Sequence, residues 1–379
     1  MMAKAAPAAK PDKGADAEEA LRRYFLSLGA FVVRGVPVTE GADNITDIDL
    51  WTYTRASVHA RHISIIDVKN KKRSKGYERA IWLKGLQHLV AADEAIVAST
   101  STRENLKPFA DRVGVRVIGS QVLSAVLARY SPPDHRLSSD EIGKLWQSSR
   151  NDGVSNLASR MSVNFQEIGR GITFSALNHW IDEAGQLLTW SLDHERVPAA
   201  HMRAALLCMA FVSVAADYLG RELAFSDSER RKEFFKSGLI FGRPTEDTAK
   251  TYVGFAEQAV TDFVDKSGAS ATMLRMGFAR AVERLPVSQF IEFFARPSAG
   301  RELYEAGLRL EEAAFSRNLP KLVDLATEAK VIIGLVADYA DLDRRRLLGT
   351  VTGAPIKQRD RASTKGDADS AAIGPERLL

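Results

Sequence analysis

The sequence predicts an α/β N-terminal domain, a mixed sheet flanked by helices, followed by an all-α domain. Three observations carry this. Five short apolar runs between Phe31 and Ile118 have strand character, the first three in succession and the last two separated by helical stretches. From about Asp140 to Leu348 almost every segment has helical spacing, and no convincing strand occurs. Between the two regions, Ser131–Ser139 (SPPDHRLSS) carries two prolines among polar residues, the mark of a boundary.

A helix is expected from about Asp16 to Leu28, with Leu21, Phe25 and Leu28 on one face and Gly29 as its stop. Phe31–Val38 reads as a strand, Gly41–Asn44 as a turn and Ile45–Thr54 as a second strand. A loop around Arg55–Arg61 leads to a third strand, His62–Val68. After the basic turn Lys69–Lys75, a helix from about Tyr77 to Ala92 carries Ile81, Leu83, Leu86 and Leu89. A strand over Ala95–Ala98, a helix over Arg103–Val113, a strand over Val115–Ile118 and a helix over Gln121–Tyr130 complete the series. The order α-β-β-β-α-β-α-β-α implies a mixed sheet with helices on its faces.

Ser138 and Glu141 have the spacing of a capping box for the helix that opens the second region. There, Glu229–Lys236, Thr245–Asp265, Thr272–Glu283, Ala299–Arg317 and Pro320–Asp343 are the stronger helix candidates. Phe234, Phe235, Phe290, Phe293 and Phe294 sit at helical spacing and read as core. The expected organisation is a disordered N-terminus over 1–15, an α/β domain over 16–130, a linker over 131–139, a helical domain over 140–350 and a disordered tail over 351–379.

Composition bounds the function. At 379 residues, 45% hydrophobic and 26% charged, the chain is an ordinary globular protein long enough for a sizeable core. A net charge of +4 permits a polyanionic partner without demanding one. The single cysteine, Cys208, excludes an internal disulfide and a multi-thiolate zinc site, and suits a reducing cytoplasm. Cys208 lies in the apolar run Ala204–Ala216, which is shorter than a membrane span and reads as a buried helix. No secretory signal is visible before Ala15, and no membrane association is expected. Neither GxxxxGK[ST] nor GxGxxG occurs, so the chain shows no phosphate-binding loop for ATP-driven action. His179, His194 and His201 lack the i,i+4 spacing of a zinc motif, and His88, which follows Gln87, reads as a surface histidine rather than a catalytic one.

Strand parity locates the chemistry. In ITDIDLW, Asp47 and Asp49 share a face; in ISIIDVKN, Asp67 and Lys69 do. If the two strands are neighbours, Asp49, Asp67 and Lys69 converge at one end of the sheet. Two close carboxylates repel unless a cation stands between them. Mg²⁺ (or Mn²⁺) prefers such oxygen ligands and keeps several waters. A lysine beside it can orient water and offset phosphate charge. Such a site suits phosphodiester hydrolysis, with Asp49 and Asp67 as metal ligands. The run Lys69, Lys71, Lys72, Arg73, Lys75 would extend positive charge outward onto a nucleic-acid backbone, the competing reading being a solvated loop. Tyr77 and Trp82 could stack on bases, although Trp82 reads better as core.

With these residues the chain resembles the PD-(D/E)xK nuclease superfamily, the restriction-endonuclease-like fold, over Glu18 to about Tyr130. The resemblance implies that Asp49 is the first acidic ligand and that Asp67 and Lys69 are the D-x-K. It also implies an acidic residue on the first helix, Glu18 or Glu19, and a supporting Gln87 in LKGLQHLVAADEAIVAS. No proline precedes Asp49, and Asp stands at position 67 where Glu is commoner. The expected function is a metal-dependent endonuclease-like hydrolase acting on DNA. Two rivals stand beside it: a nuclease-fold nucleic-acid-binding or scaffolding protein that does not cut, and an interaction module whose helical half docks a partner or a second copy.

Overall fold

A computed structural model describes residues 13–69, 75–100, 104–130, 135–149, 156–192, 199–242, 247–264 and 268–348. The expected N-terminal segment up to residue 12, the tail over 351–379 and the turn residues Lys71, Lys72 and Arg73 lie outside them. Lys13–Ala15, expected to be disordered, already belong to the first helix.

The first helix, α1 (Lys13–Ser27), ends where Gly29 takes φ +82°, a conformation open to glycine. β1 (Phe31–Glu40) and β2 (Asp43–Arg55) form an antiparallel hairpin, and β3 (Arg61–Lys69) pairs antiparallel with β2. After α2 (Gly76–Leu89), β4 (Glu94–Ser99) pairs parallel with β3. α3 (Leu106–Arg112) then leads to β5 (Arg116–Ile118), parallel with β4, and α4 (Ser120–Tyr130) follows. The five-stranded mixed sheet has the order β1-β2-β3-β4-β5.

The rest of the described chain is helical: α5 (Ser139–Ser148), α6 (Leu157–Gly169), α7 (Phe174–Leu192), α8 (Ala199–Gly220), α9 (Ser228–Phe241), α10 (Asp247–Phe263), α11 (Ala269–Glu283), α12 (Ser288–Phe294), α13 (Ala299–Phe315), α14 (Thr327–Tyr339) and α15 (Arg344–Leu347). The capping box forms: Glu141 N donates to Ser138 Oγ at 3.2 Å, and Ser138 N to Glu141 Oε2 at 2.7 Å. The helix expected over Pro320–Asp343 is shorter. Leu325 and Ala326 are extended (ψ 160° and 154°), so only a 3-10 turn precedes α14.

Both faces of the sheet are apolar. On one, Val32, Leu50, Ile66, Val68 and Ile96 pack with Ala17, Ala20 and Leu21 of α1 and Leu123 and Val126 of α4. On the other, Phe31, Trp51, Tyr53, Ile63 and Ile65 share one continuous core with α2, α6, α7, α8 and α13. The change of region at 131–139 is therefore not a boundary of the core. Contact is close: a Cβ on Gly169 would stand 2.2 Å from the carbonyl oxygen of Pro37, so only glycine lets α6 lie against β1. The Phe31 and Phe211 rings meet edge to face at 6.2 Å. α8 is long and apolar enough to cross a bilayer but is packed inside the protein, with Cys208 buried at its centre. Phe235, Phe290, Phe293 and Phe294 are core, as their spacing suggests.

Buried charge ties the two regions together. Asp217, at the end of α8, accepts from Tyr53 Oη at 2.7 Å and from Arg61 Nε and Nη2 at 2.8 and 2.6 Å. Arg22 of α1 pairs with Glu19 and with Glu311 of α13, which also accepts from Arg136 at 2.7 and 2.8 Å. Removing one partner of such a group strands the others without water. Asp217→Ala is expected to destabilise the fold by about 3–5 kcal/mol, read as a lower urea midpoint. A midpoint equal to wild type would show that this contact does not hold α8 to the sheet.

Candidate active site

The β2–β3 ladder ends at Leu50↔Ile66. Beyond it, β2 stays paired with β1 to the hairpin tip, and β3 stays paired with β4 as far as Lys69↔Ser99. The strands part, and Asp49 and Asp67 are the first residues in the opening. Gly35, on β1 between the Arg34↔Leu50 and Val36↔Ile48 pairs and so level with Asp49, takes φ +68°, a conformation open to glycine. Parting strands release backbone donors. One of them, Val68 N, donates to Asp49 Oδ2 at 2.7 Å, so Asp49 is fixed by the break that exposes it.

Lys69 Nζ stands 3.2 Å from Asp49 Oδ2 and 3.1 Å from Asp67 Oδ1. The three residues expected to converge do so around this ammonium. Asp47 lies apart, exposed on the hairpin arm opposite Pro37. Asp67 is only 2% exposed and is also held by Arg79 from the first turn of α2, through Nε at 3.1 Å and through Nη2. The Arg79 guanidinium lies 4.0 Å over the ring of Trp82, one helical turn on.

Arg79 is the residue that sequence reasoning missed. Its signal was its place in the first turn of the helix after the D-x-K, with Trp82 three residues later. It also corrects an expectation. The two carboxylates were expected to repel in the absence of a metal, but Lys69 and Arg79 match their charge one for one.

Glu18 and Glu19 are separated by the turn of the helix, about 100° per residue. Glu18 accepts from Arg34 Nε at 2.8 Å and lies close enough to Asp49 and Lys69 for their charges to act on it. Glu19 turns to Arg22 and Ser139 instead. Gln87 is not brought to the site, which corrects the role given to it. Its Nε2 donates to the carbonyls of Ala92 and Asp93, and its Oε1 accepts from Lys84. Asp93 N in turn donates to Ile63 O, at the start of β3. α2 runs back along the sheet, so a residue near its end lies roughly 13–20 Å of strand away from Asp67 and Lys69. Lys75 is exposed and paired with Glu78 at 2.9 Å. Trp82 is partly buried against the core, and Tyr77 packs on Phe109 at 5.0 Å.

Burial raises the carboxyl pKa values of both Asp49 and Glu18. For Asp49, the Val68 N–H and Lys69 oppose this and Asp67 adds to it; for Glu18, Arg34 opposes it. The donor chemistry fits a hard dication: Asp49 and Asp67 point oxygens at one cation position, and Mg²⁺ commonly takes one or two carboxylates and completes its shell with water. No set of three His, Cys, Asp or Glu side chains converges for a metal among the described residues, so the chain would supply two ligands. Comparison of the chain with family models, with curated proteins and with solved structures finds no match.

Two outcomes follow from these charges. Asp67→Asn leaves Lys69 and Arg79 short of a counter-charge, and should lower stability in EDTA by about 1–3 kcal/mol. A higher melting temperature in EDTA would restore the repulsion picture. Because burial raises the Asp49 and Glu18 carboxyls from their ordinary values, their contribution to stability is present at acid pH. It is lost as pH rises through their raised values and the buried groups ionise. A dication offsets that ionisation, so the rise in melting temperature on adding Mg²⁺ should grow as pH rises through those raised values. A rise independent of pH would place the metal elsewhere.

Proposed function

We propose that the protein is a metal-dependent nuclease that hydrolyses phosphodiester bonds, with DNA as its expected substrate, on a restriction-endonuclease-like domain. The observation that carries this reading is the convergence of Asp49 and Asp67, from strands that separate there, on the ammonium of Lys69 within 3.2 Å. Asp49 and Asp67 would hold Mg²⁺ or Mn²⁺, which when bound polarises a phosphoryl oxygen and makes coordinated water more acidic. Lys69, beside that ion, would orient a water toward phosphorus and offset charge on the phosphate. Arg79 holds Asp67 in place and adds a second cation. In the reaction the water oxygen bonds to phosphorus, the bond from phosphorus to the leaving oxygen breaks, and that oxygen takes a proton. The basic turn after Lys69 would hold flanking phosphates, which carry no sequence information.

One observation favours a second reading. Lys69 and Arg79 already balance both carboxylates without a metal, as a nucleic-acid-binding or scaffolding protein that no longer cuts would require. Incubation of the purified protein with single- and double-stranded DNA and RNA, in Mg²⁺ or Mn²⁺ and in EDTA, separates the two. Under the nuclease reading, Lys69→Ala should lower the single-turnover rate by about 10²–10³-fold, with a fold that is retained and a loss of stability in EDTA of the same order as that of Asp67→Asn. A wild-type rate in this variant would sink the assignment.

A further inference from the structure

At the end of β2 and β3 far from the candidate active site, the sheet meets α8, α9 and α13 around a small cavity. Arg55, Arg61, Arg231 and Arg296 line it, and Asp217 is the one acid in its wall among the described residues. Arg61 and Asp217 balance each other. Two guanidinium nitrogens of Arg61 donate to the carboxylate, and the third donates to the carbonyls of Ser57, Val58 and Ala60. Arg55 is then a second cation, 3.8 Å from the same carboxylate. Arg231 donates to carbonyls, and the Arg296 guanidinium stands 5.2 Å over the Phe293 ring. Neither has a carboxylate partner among the described residues, and the nearby Glu222 is engaged by Arg221 at 3.6 Å. Four arginines against one aspartate leave a surplus of positive charge, which an anion would balance.

The cavity measures about 40 Å³. A water needs about 10–15 Å³ on this measure, so a phosphate-sized group fits and an aromatic ring does not. A ring platform stands beside it. Phe225 follows Ala224, which lines the cavity, and is 87% exposed. Its backbone is nevertheless fixed. Arg231 donates to Ala224 O at 3.0 Å and to Ser226 O at 2.9 Å, clamping the chain on both sides of Phe225. The ring is therefore held out with most of its surface open. His59, exposed and next to Val58 of the cavity wall, brings its ring to 5.7 Å from that of Phe225.

We propose that this end of the sheet binds single-stranded nucleic acid. Arg55, Arg231 and Arg296 hold one phosphate, and Phe225, with His59 beside it, stacks on the adjoining base. The strand is single because an unpaired base presents a free face to a ring. A bilayer asks for a broader apolar face than Phe225 and Val58 supply. This surface is separate from the nuclease site and does not depend on cutting. Asp49 is six residues from Arg55 along β2, and Asp67 six from Arg61 along β3, roughly 20 Å of strand.

Fluorescence anisotropy of the full-length protein tests this with an end-labelled thymidine tetranucleotide against the same chain built of abasic sugars. EDTA is present throughout, so a protein that does not cut gives the same readout. Phe225→Ala should weaken the base-bearing strand roughly fivefold or more and leave the abasic chain unchanged. Arg296→Gln should weaken both chains alike and flatten the salt slope by about 0.7, the value for one phosphate of a single strand. Both side chains are exposed, so melting temperatures should stay near wild type. Should Phe225→Ala fail to fold, Phe225→Leu, apolar but without a ring, decides. Absence of binding, or equal affinity of the wild type for the two chains, overturns the site. So does a folded variant that binds the base-bearing strand at wild-type strength. Sedimentation with phosphatidylserine vesicles that is lost in Phe225→Ala, without a preference for bases, gives the surface to a membrane and overturns it as well.

Discussion

A five-stranded sheet that is apolar on both faces has to be covered on both, and this one cannot cover itself. α1 and α4 close one face. On the other, α2 reaches part of the surface, and Phe31, Trp51 and Tyr53 are left for helices that come later in the chain. Burial of aromatic area of this kind is among the largest favourable contributions a fold has. The helical half is thus the second layer of the sheet's own core. The cross-links follow from that packing. Once α8 lies over β2 and β3, Asp217 is removed from water, and only the arginines and the tyrosine of those strands can balance it.

Covering the sheet also decides where it opens. β2 and β3 are paired from Arg55↔Arg61 to Leu50↔Ile66 and separate where the aspartates begin. The pairing energy lost there is partly recovered by Asp49, whose carboxylate takes the Val68 N–H. One local event therefore sets the geometry of the site: it exposes two carboxylates, fixes one through the backbone and leaves the other against α2. Arg79 and Lys69 then make the cluster neutral. A metal entering this cluster has to compete with two cations already in place, so its binding and the positions of Lys69 and Arg79 are coupled.

α1 acts in two places. Glu18 faces the opening between the strands, while Glu19 and Arg22 bind α1 to α5 and α13 through a buried ion network.

Much of this was written locally. The order of elements from α1 to α4, the mixed sheet, the capping box at Ser138 and the buried character of Ala204–Ala216 all follow from periodicity and turn chemistry, which act over a few residues. Parity alone aligned Asp49 with Asp67 and Lys69, because side chains alternate along any strand. What the sequence could not decide were relations between distant segments. Whether Glu18 or Glu19 faced the site depended on the rotation of α1 against β1. Gln87 was placed by the direction in which α2 returns along the sheet, which carried Arg79 to Asp67 and Gln87 to the other end. The joining of the two regions depended on which surfaces were left bare, through contacts such as Gly169 with Pro37 and Asp217 with Arg61, more than a hundred residues apart in the chain. Local pattern specifies which elements form and which way their side chains alternate; only packing decides which of those side chains meet, because that depends on surfaces no single segment contains.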